Sequence, residues 1–429
     1  MKTVAFVPVK KNSSRIENKN TKLLDGKELF LHTVEKLLCC DFIDEVYVDT
    51  ESQEIINIAE HTGCKFLIRD ISLANNKTDG NALFYNEIRQ VDADIYIQVL
   101  CTSPFIRTET IEEGVNKVKN GDYDSAFLTR QEKLYLWRDN RPLYDIENIP
   151  NSIDLNYTTF ETMGLYITNK NALNHKKRIG KNPYMLKSSP QEAIDVNCPE
   201  DFELAELIAR GCREKERQLL NNIKISLNSS ILSDVLDDMG LKCIIKDMKI
   251  NMPDAKILGR AKTLEIRELA KGEDYTGIYD ALKTYEYIIP NDIIVVKNPI
   301  DGCAYFGELN ASLAIRNGCG GAIISGYTRD SEHVKKTGLP VFYDGVSCQD
   351  VKTRATVKSF NKCISIQGVE IYPNDLVFGD IDGVVVIPKK KEKETLERAF
   401  KKIKTEKEII LDICYGEFCK NIINKHGFF

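Results

Sequence analysis

Short apolar runs alternate with amphipathic stretches through the first half of the chain, and this pattern limits the fold more than any other feature. Strands are predicted at Thr3–Val9, Glu45–Thr50, Lys65–Ile68, Ile95–Leu100 and Ser125–Thr129. Helices are predicted between them at Leu29–Cys40, Gln53–Thr62, Asn81–Val91 and Thr110–Asn120, with Asp25-Gly26-Lys27 as a turn opening the first. Strands separated by helices make βαβ units and a mostly parallel sheet. Ligands of such sheets bind beyond the carboxyl ends of the strands, so those ends are where chemistry is expected.

Pro199-Glu200-Asp201-Phe202 reads as a helix start, with proline near the first position and acids in the first turn. Arg213-Glu214-Lys215-Glu216-Arg217 then forms a charged, helix-permissive connector. The expected organisation is a first domain over 1–211, a linker over 212–222 and a second domain over 223–429. The second half is Val-, Ile- and Gly-rich in its strands (Ile293–Val296, Gly320–Ser325, Cys363–Gln367, Gly383–Ile387), followed by a Lys/Glu-rich helix over Lys389–Ile410.

Composition removes several function classes. Lys plus Arg is 59 against 64 Asp plus Glu, a formal net charge of −5, which argues against a dominant nucleic-acid or anionic-membrane surface. No apolar run approaches the length of a membrane-spanning helix. The 13 cysteines include no C-x-x-C pair, and the chain opens on a strand-like run without a secretory segment. Reduced thiols in a cytoplasmic protein are expected.

The first strand runs into Val9-Lys10-Lys11-Asn12-Ser13-Ser14-Arg15-Ile16-Glu17-Asn18-Lys19-Asn20. Cations, small polar side chains and free backbone N–H groups after a strand can wrap a phosphate chain, although a basic surface loop has the same composition. Further along come Arg69, then Gln98-Val99-Leu100-Cys101-Thr102-Ser103-Pro104-Phe105-Ile106-Arg107, Thr162-Met163-Gly164-Leu165-Tyr166, and Asp195-Val196-Asn197-Cys198-Pro199-Glu200-Asp201-Phe202. In this order they resemble the acylneuraminate (CMP-sialic acid) cytidylyltransferase family, with its A-R-x-x-S-K-x-I/L-x-x-K-N, Q-P-T-S-P-L-R, N-G-A-x-Y and D-I-D-x-P-E-D-F motifs.

That resemblance implies a Rossmann-like nucleotidyltransferase (GT-A-like) three-layer domain that transfers CMP from CTP to an acidic sugar. Lys10 and Lys19 would act on the phosphates, and Asn12, Ser13, Asn20 and Arg69 would hold the nucleotide. Gln98 would face the acceptor, and Asp195 with Asn197 would hold Mg²⁺ or Mn²⁺. The loop departs from the family, with Lys10 for Arg, Ser14 for Lys and Asn197 for the second acid. A phosphonate or phosphate-bearing acceptor is the alternative to a nonulosonic acid.

In the second half, Phe306-Gly307-Glu308-Leu309-Asn310-Ala311 begins a predicted helix, and a buried-type strand ends at Gly326-Tyr327-Thr328-Arg329-Asp330. Twenty residues separate Glu308 from Arg329, enough for a helix and a returning strand. Arg329 could then hold a carboxylate and Asp330 a divalent metal, or the pair could simply cap the next helix. With Gly338-Leu339-Pro340-Val341-Phe342, Gly368–Val377 and Asp380–Pro388, this half resembles the ribonuclease-activity-regulator A / 4-hydroxy-4-methyl-2-oxoglutarate aldolase family.

The second resemblance implies an α/β layered domain acting on a small 2-oxo acid with Mg²⁺ or Mn²⁺. Arg329 would clamp the acid, the N–H groups of Gly307 and Leu309 would bind it, Glu308 would orient a water, and Asp330 would anchor the metal. Asp380 and Asp382 read as turn and trimer-packing residues rather than ligands. The implied assembly is a homo-oligomer, a trimer or hexamer through this domain. A purely regulatory or oligomerising second domain, and a nucleotide-sensing first one, are the rival reading.

Overall fold

The computed structural model describes residues 1–75, 77–175 and 177–427. They form two compact units, Met1–Arg210 and Gly211–Phe429.

The first unit is built on a seven-stranded sheet. Its order is Pro183–Lys187, Ser125–Lys133, Tyr157–Asn169, Ile95–Val99, Thr3–Pro8, Glu45–Thr50, Lys65–Ile68. The four strands from Ile95–Val99 to Lys65–Ile68 are parallel, and Tyr157–Asn169 is inserted antiparallel. The opening strand shows why the layers close. Ala5 and Val7 enter a core on one face, while Val4 and Phe6 enter a second core on the other. A strand buried on both faces must be apolar without interruption, which is what residues 3–8 are. The carboxyl ends of the strands at Pro8, Thr50, Ile68 and Val99 lie side by side, with Pro8 registered on Asp49 and Thr50 on Ile68.

The second unit holds a ten-stranded sheet. Ile257–Glu268, Ile293–Lys297, Gly321–Thr328 and Val341–Val346 run parallel at its centre. Here too alternate residues feed opposite cores, with Ile293, Val295 and Ile323 on one side and Ile294, Val296 and Ile324 on the other. Leu376–Asp380 and Gly383–Ile387 form an antiparallel hairpin beside them.

One expectation changes. Asp25-Gly26 opens no helix; it is the tip of a small hairpin pairing Leu23–Leu24 with Lys27–Glu28. Both residues have positive φ (51° and 74°), the requirement of a twist-matched two-residue turn. The charged stretch 212–222 lies within a single helix, Pro199–Ser226. Its charges are strong helix formers, and Glu214 pairs with Arg217 one turn on at 2.7 Å. Among the described residues no helix is long and apolar enough to cross a membrane.

Arg260, in the second unit, is a buried cation held from two sides. Nη1 meets Glu392 at 2.6 Å, and the guanidinium also contacts Glu216. Removing one partner of a buried ion pair leaves the others uncompensated. Arg260→Ala is therefore expected to cost about 3 kcal/mol of the second unit's stability in chemical denaturation. A loss under about 1 kcal/mol, the worth of a surface pair, would contradict this account of the contact.

Candidate functional site

The loop after the first strand is hooked onto its neighbour. Val9 N–H donates to the Asp49 carbonyl at 2.9 Å, and Lys11 N–H to Glu51 Oε1 at 2.8 Å. The far end of the loop closes at Asn18, in the left-handed region (φ 50°), which starts the short turn Lys19–Thr21. Ile16 is buried between, whereas Asn12 is exposed and Ser13 half-buried. Asn20 Nδ2 donates to the Lys10 carbonyl at 2.8 Å and ties the two ends of the loop together. Its Oδ1 accepts from Cys101 Sγ at 3.4 Å. Burial pushes that thiol up to about 11, so Cys101 acts as a donor.

Lys19 is 6% exposed and donates from Nζ to the Val196 carbonyl at 2.7 Å. Burial lowers its pKa, opposed by Cys101 and Asp195 and reinforced by the cations Arg15 and Lys10. Asp195 presents two different oxygens. Oδ2 accepts from Asn197 Nδ2 at 2.6 Å, while Oδ1 is buried with no donor. Asp201 accepts the N–H groups of Asn197 and Cys198 at 2.8 and 2.9 Å, which fixes the chain at the head of the helix Pro199–Ser226. Burial works to raise the Asp201 pKa, but those N–H groups and Arg15 hold it low.

The orphaned oxygen is the test of a metal. A buried carboxylate oxygen without a donor, beside ammonium groups that also attract phosphate, suits a hard divalent ion. Among the described residues no three His, Cys, Asp or Glu side chains gather as a metal cage. Mg²⁺ in nucleotide sites takes one or two carboxylates and completes its shell with phosphate oxygens and water, so Asp195 fits. Asn197, expected as the second ligand, instead points its amide N–H at Asp195 and orients it.

Two other expected contacts lie deeper. Arg69 is 5% exposed, and its guanidinium grips Asp49: Nη2 to Oδ2 at 2.9 Å and to the Asp49 carbonyl at 2.6 Å. It shapes the seat of the loop from behind. Gln98 is fully buried inside its strand; Nε2 donates to Glu87 Oε2 at 2.7 Å and Oε1 accepts from Arg178 Nη1 at 3.2 Å. Counted back from Thr102-Ser103-Pro104, the family glutamine falls on Leu100, where the strand has ended. Glu87 was not foreseen. It sits on the helix Gly80–Ile88 at an inward position that carries no sequence signal beyond helical spacing.

In the second unit, Ala304–Phe306 lies parallel to Gly321–Thr328, and Arg329 N–H donates to the Phe306 carbonyl at 2.8 Å. That bond sets Arg329-Asp330 against Gly307-Glu308, as the spacing anticipates. Asp330 occupies the left-handed region (φ 54°), and its side chain makes no cap bond to the helix Ser331–Lys336 that follows it. Its Oδ2 turns back to accept Glu308 N–H at 3.3 Å. The approach is close enough that a Cβ on Gly307 would stand 2.7 Å from that oxygen. Arg329 Nη1 bonds Asp350 Oδ2 at 2.8 Å, a partner the sequence did not mark. The side chains of Glu308 and Leu309 are exposed. Asp380 is buried and accepts from Ser229 N–H at 2.9 Å and from the Ser229 hydroxyl at 2.7 Å.

Residues 4–192 match the cytidylyltransferase family and residues 229–386 the aldolase/RraA family. Protein DlpA of Legionella pneumophila is 32% identical over 45% of this chain and 31% of its own length. The chain thus spans about a third of that relative. The N-acylneuraminate cytidylyltransferase of Escherichia coli is 24% identical over 68% of this chain and 70% of that protein. The putative 4-hydroxy-4-methyl-2-oxoglutarate aldolase of Halalkalibacterium halodurans is 31% identical over 41% of this chain and 80% of that protein.

Glu87 carries a pH signature. Its Oε1 has no donor and its carboxyl faces Asp49. Burial first, then the Asp49 charge, raises its pKa well above the usual carboxylate range. Folding thus takes up a proton: the native state holds one where the unfolded chain has lost it. Stability must fall as pH rises from the ordinary glutamate pKa near 4.3 toward the raised value, by up to about 1.4 kcal/mol per pH unit. Glu87→Gln supplies both donor and acceptor without a proton to lose. Denaturation midpoints of the variant are expected to be flat over the range in which the wild type declines. Parallel profiles would contradict the assignment.

Proposed function

The chain belongs to the aldolase/RraA family in its second half and to the cytidylyltransferase family in its first, and on that footing we propose a reaction for each. In the first unit CMP passes from CTP to a hydroxyl of an acidic sugar of the nonulosonic-acid class. The acceptor oxygen bonds to the α-phosphorus, the bond to the β-phosphate bridging oxygen breaks, and pyrophosphate leaves. Such transfers need alignment and charge neutralisation more than covalent help. The observation that carries this reading is the buried, donor-free oxygen of Asp195 beside the buried ammonium of Lys19.

Lys10 and Lys19 neutralise the phosphates. Asn12 and Ser13 lie on the open arc of the loop, where backbone N–H groups can meet phosphate oxygens, and Asn20 keeps that arc closed. Mg²⁺ or Mn²⁺ on Asp195 would add charge neutralisation at the departing pyrophosphate. The acceptor class is supported by the name of the Escherichia coli relative, of which the chain spans 70%. The cytoplasm, where CTP is made and thiols stay reduced, is the fitting location.

In the second unit we place a short 2-oxo acid between Arg329 and the N-terminus of the helix Glu308–Arg316. Arg329 binds the carboxylate, the N–H groups at Gly307 and Leu309 bind the acid, and Asp330 would hold a divalent ion. That ion would supply an electron sink for the 2-oxo group. Glu308 reaches solvent and orients water for proton transfer.

Pyrophosphate release from CTP and N-acetylneuraminate is expected to require a divalent metal, and to fall by about 10²–10³-fold in Asp195→Asn and in Lys19→Met. Rates within threefold of wild type in both variants would remove the reading. For the second unit, pyruvate release from oxaloacetate or a 4-hydroxy-2-oxo acid is expected to drop about 100-fold or more in Arg329→Ala. Survival of that activity would dissociate Arg329 from the chemistry.

A further inference from the structure

Asp350 stands against Arg329 on a segment fixed to its neighbours. Oδ2 meets Arg329 Nη1 at 2.8 Å, and Oδ1 accepts Lys352 N–H at 2.7 Å. Ala304 N–H donates to the Gln349 carbonyl at 2.7 Å, and Val351 N–H to the Ala304 carbonyl at 3.1 Å. Asp350 is thereby bridged to the strand Ala304–Phe306, which delivers Gly307 and Glu308. Its own carbonyl accepts from Arg354 Nη1 at 3.2 Å. Glu308 is placed differently, with its side chain exposed at the start of the helix Glu308–Arg316. One guanidinium site therefore has two acids for proton traffic: Asp350, held in place, and Glu308, at the solvent edge.

A carboxylate offers about four acceptor positions. Lys352 N–H and Arg329 Nη1 use part of that capacity, and the Asp350 side chain is 38% exposed, so it can take a further donor. A general base needs this combination of fixed position and hydrogen-bond reach. An oxo acid bound by its carboxylate at Arg329 lies beside Asp350. The group it must offer to a base there is a hydroxyl two carbons beyond the oxo carbon, because losing that proton starts cleavage of the C3–C4 bond. Decarboxylation of oxaloacetate has no such proton and leaves Asp350 without a task.

The acceptor proposed for the first unit has this pattern when its ring opens. In the ring form C2 bears the hydroxyl that takes CMP. In the open chain C2 is an oxo group, C3 a methylene, and C4 carries a hydroxyl. We infer that the second unit cleaves the open chain of the same sugar acid that the first unit activates, with Asp350 as the base. This rests on both proposed reactions. The C4 hydroxyl proton passes to Asp350, and the C3–C4 bond breaks as C4 becomes an aldehyde. The electron pair of that bond forms the enolate of pyruvate, whose charge faces Arg329. C3 then takes a proton from the water at Glu308, and Asp350 returns its proton to solvent. Pyruvate and a shorter aldose leave. In reverse, aldol addition of pyruvate to an aldose supplies the acid. CMP on the C2 oxygen holds the ring shut and withdraws the compound from cleavage.

The test is pyruvate release by the full chain in Mg²⁺ from N-acetylneuraminate, 3-deoxy-manno-octulosonate and oxaloacetate. At least one free sugar acid should yield pyruvate and an equal amount of aldose. The methyl glycoside of N-acetylneuraminate at C2, whose ring cannot open, should yield none. Asp350→Asn should lower kcat on the sugar acid by about 10²–10⁴-fold, and on oxaloacetate by less than about tenfold. Asp350→Glu, which keeps a base, should recover part of the loss. Equal losses on both substrates would make Asp350 a mere support for Arg329 and overturn its role as base. Pyruvate from oxaloacetate but from neither sugar acid overturns the inference and keeps the 2-oxo-acid reading; pyruvate from none of the three removes that reading and the inference with it. Cleavage of a sugar acid that yields no pyrophosphate with CTP overturns the shared substrate and removes the cytidylyl reading for that acid.

Discussion

The loop after the first strand depends on one buried ion pair. Asp49 and Arg69 sit at the carboxyl ends of adjacent parallel strands with side chains almost wholly removed from water. Two charges in that position persist only if every polar atom around them is used. The Asp49 carbonyl accepts from both Arg69 Nη2 and Val9 N–H, so the pair determines where the loop leaves the sheet. The same low dielectric reaches outward. Burial and the nearby Asp49 raise the Glu87 pKa well above the usual carboxylate range, and Gln98 bridges Glu87 to Arg178. One buried pair thus fixes where the loop leaves the sheet and sets the surroundings of Glu87 and Gln98 behind it.

Much of the scaffold was legible because both sheets are buried on two faces. Glu45–Thr50, Lys65–Ile68 and Gly383–Ile387 fold within the limits their apolar runs predict. The thirteen-residue strand Tyr157–Asn169 was not foreseen, since its first half is exposed and mixed in polarity and only its end is core. Ile257–Glu268 was missed for a related reason: Arg260, Lys262 and Glu265 interrupt its apolar pattern, and only tertiary ion pairs make their burial possible. Asp25-Gly26 is a dipeptide suited to a two-residue hairpin turn, but its strands are only two residues long and carry no alternation to mark them.

The sites were legible unevenly for physical reasons. Loop residues next to strand ends, such as Lys10, Lys19, Asn20 and Asp195, announce themselves by type and place. Arg69 and Gln98, expected at the nucleotide and the acceptor, bond Asp49 and, in turn, Glu87 and Arg178. Partners of this sort come from distant segments, and no spacing encodes them. In the second unit the spacing from Glu308 to Arg329 was informative because a helix and a parallel strand return the chain to its start. The two sites use similar elements, a cation and backbone N–H groups, in different settings. Lys19 is buried, whereas the Arg329 side chain is 36% exposed and its ion pairs are screened.

Calorimetric titration of the full-length chain with CTP, with and without Mg²⁺, bears most directly on the first site. The account predicts saturable binding that tightens when Mg²⁺ is present and loses this dependence when Asp195 is replaced by alanine. Absence of CTP binding in millimolar Mg²⁺, or a metal dependence that Asp195→Ala leaves intact, would contradict it.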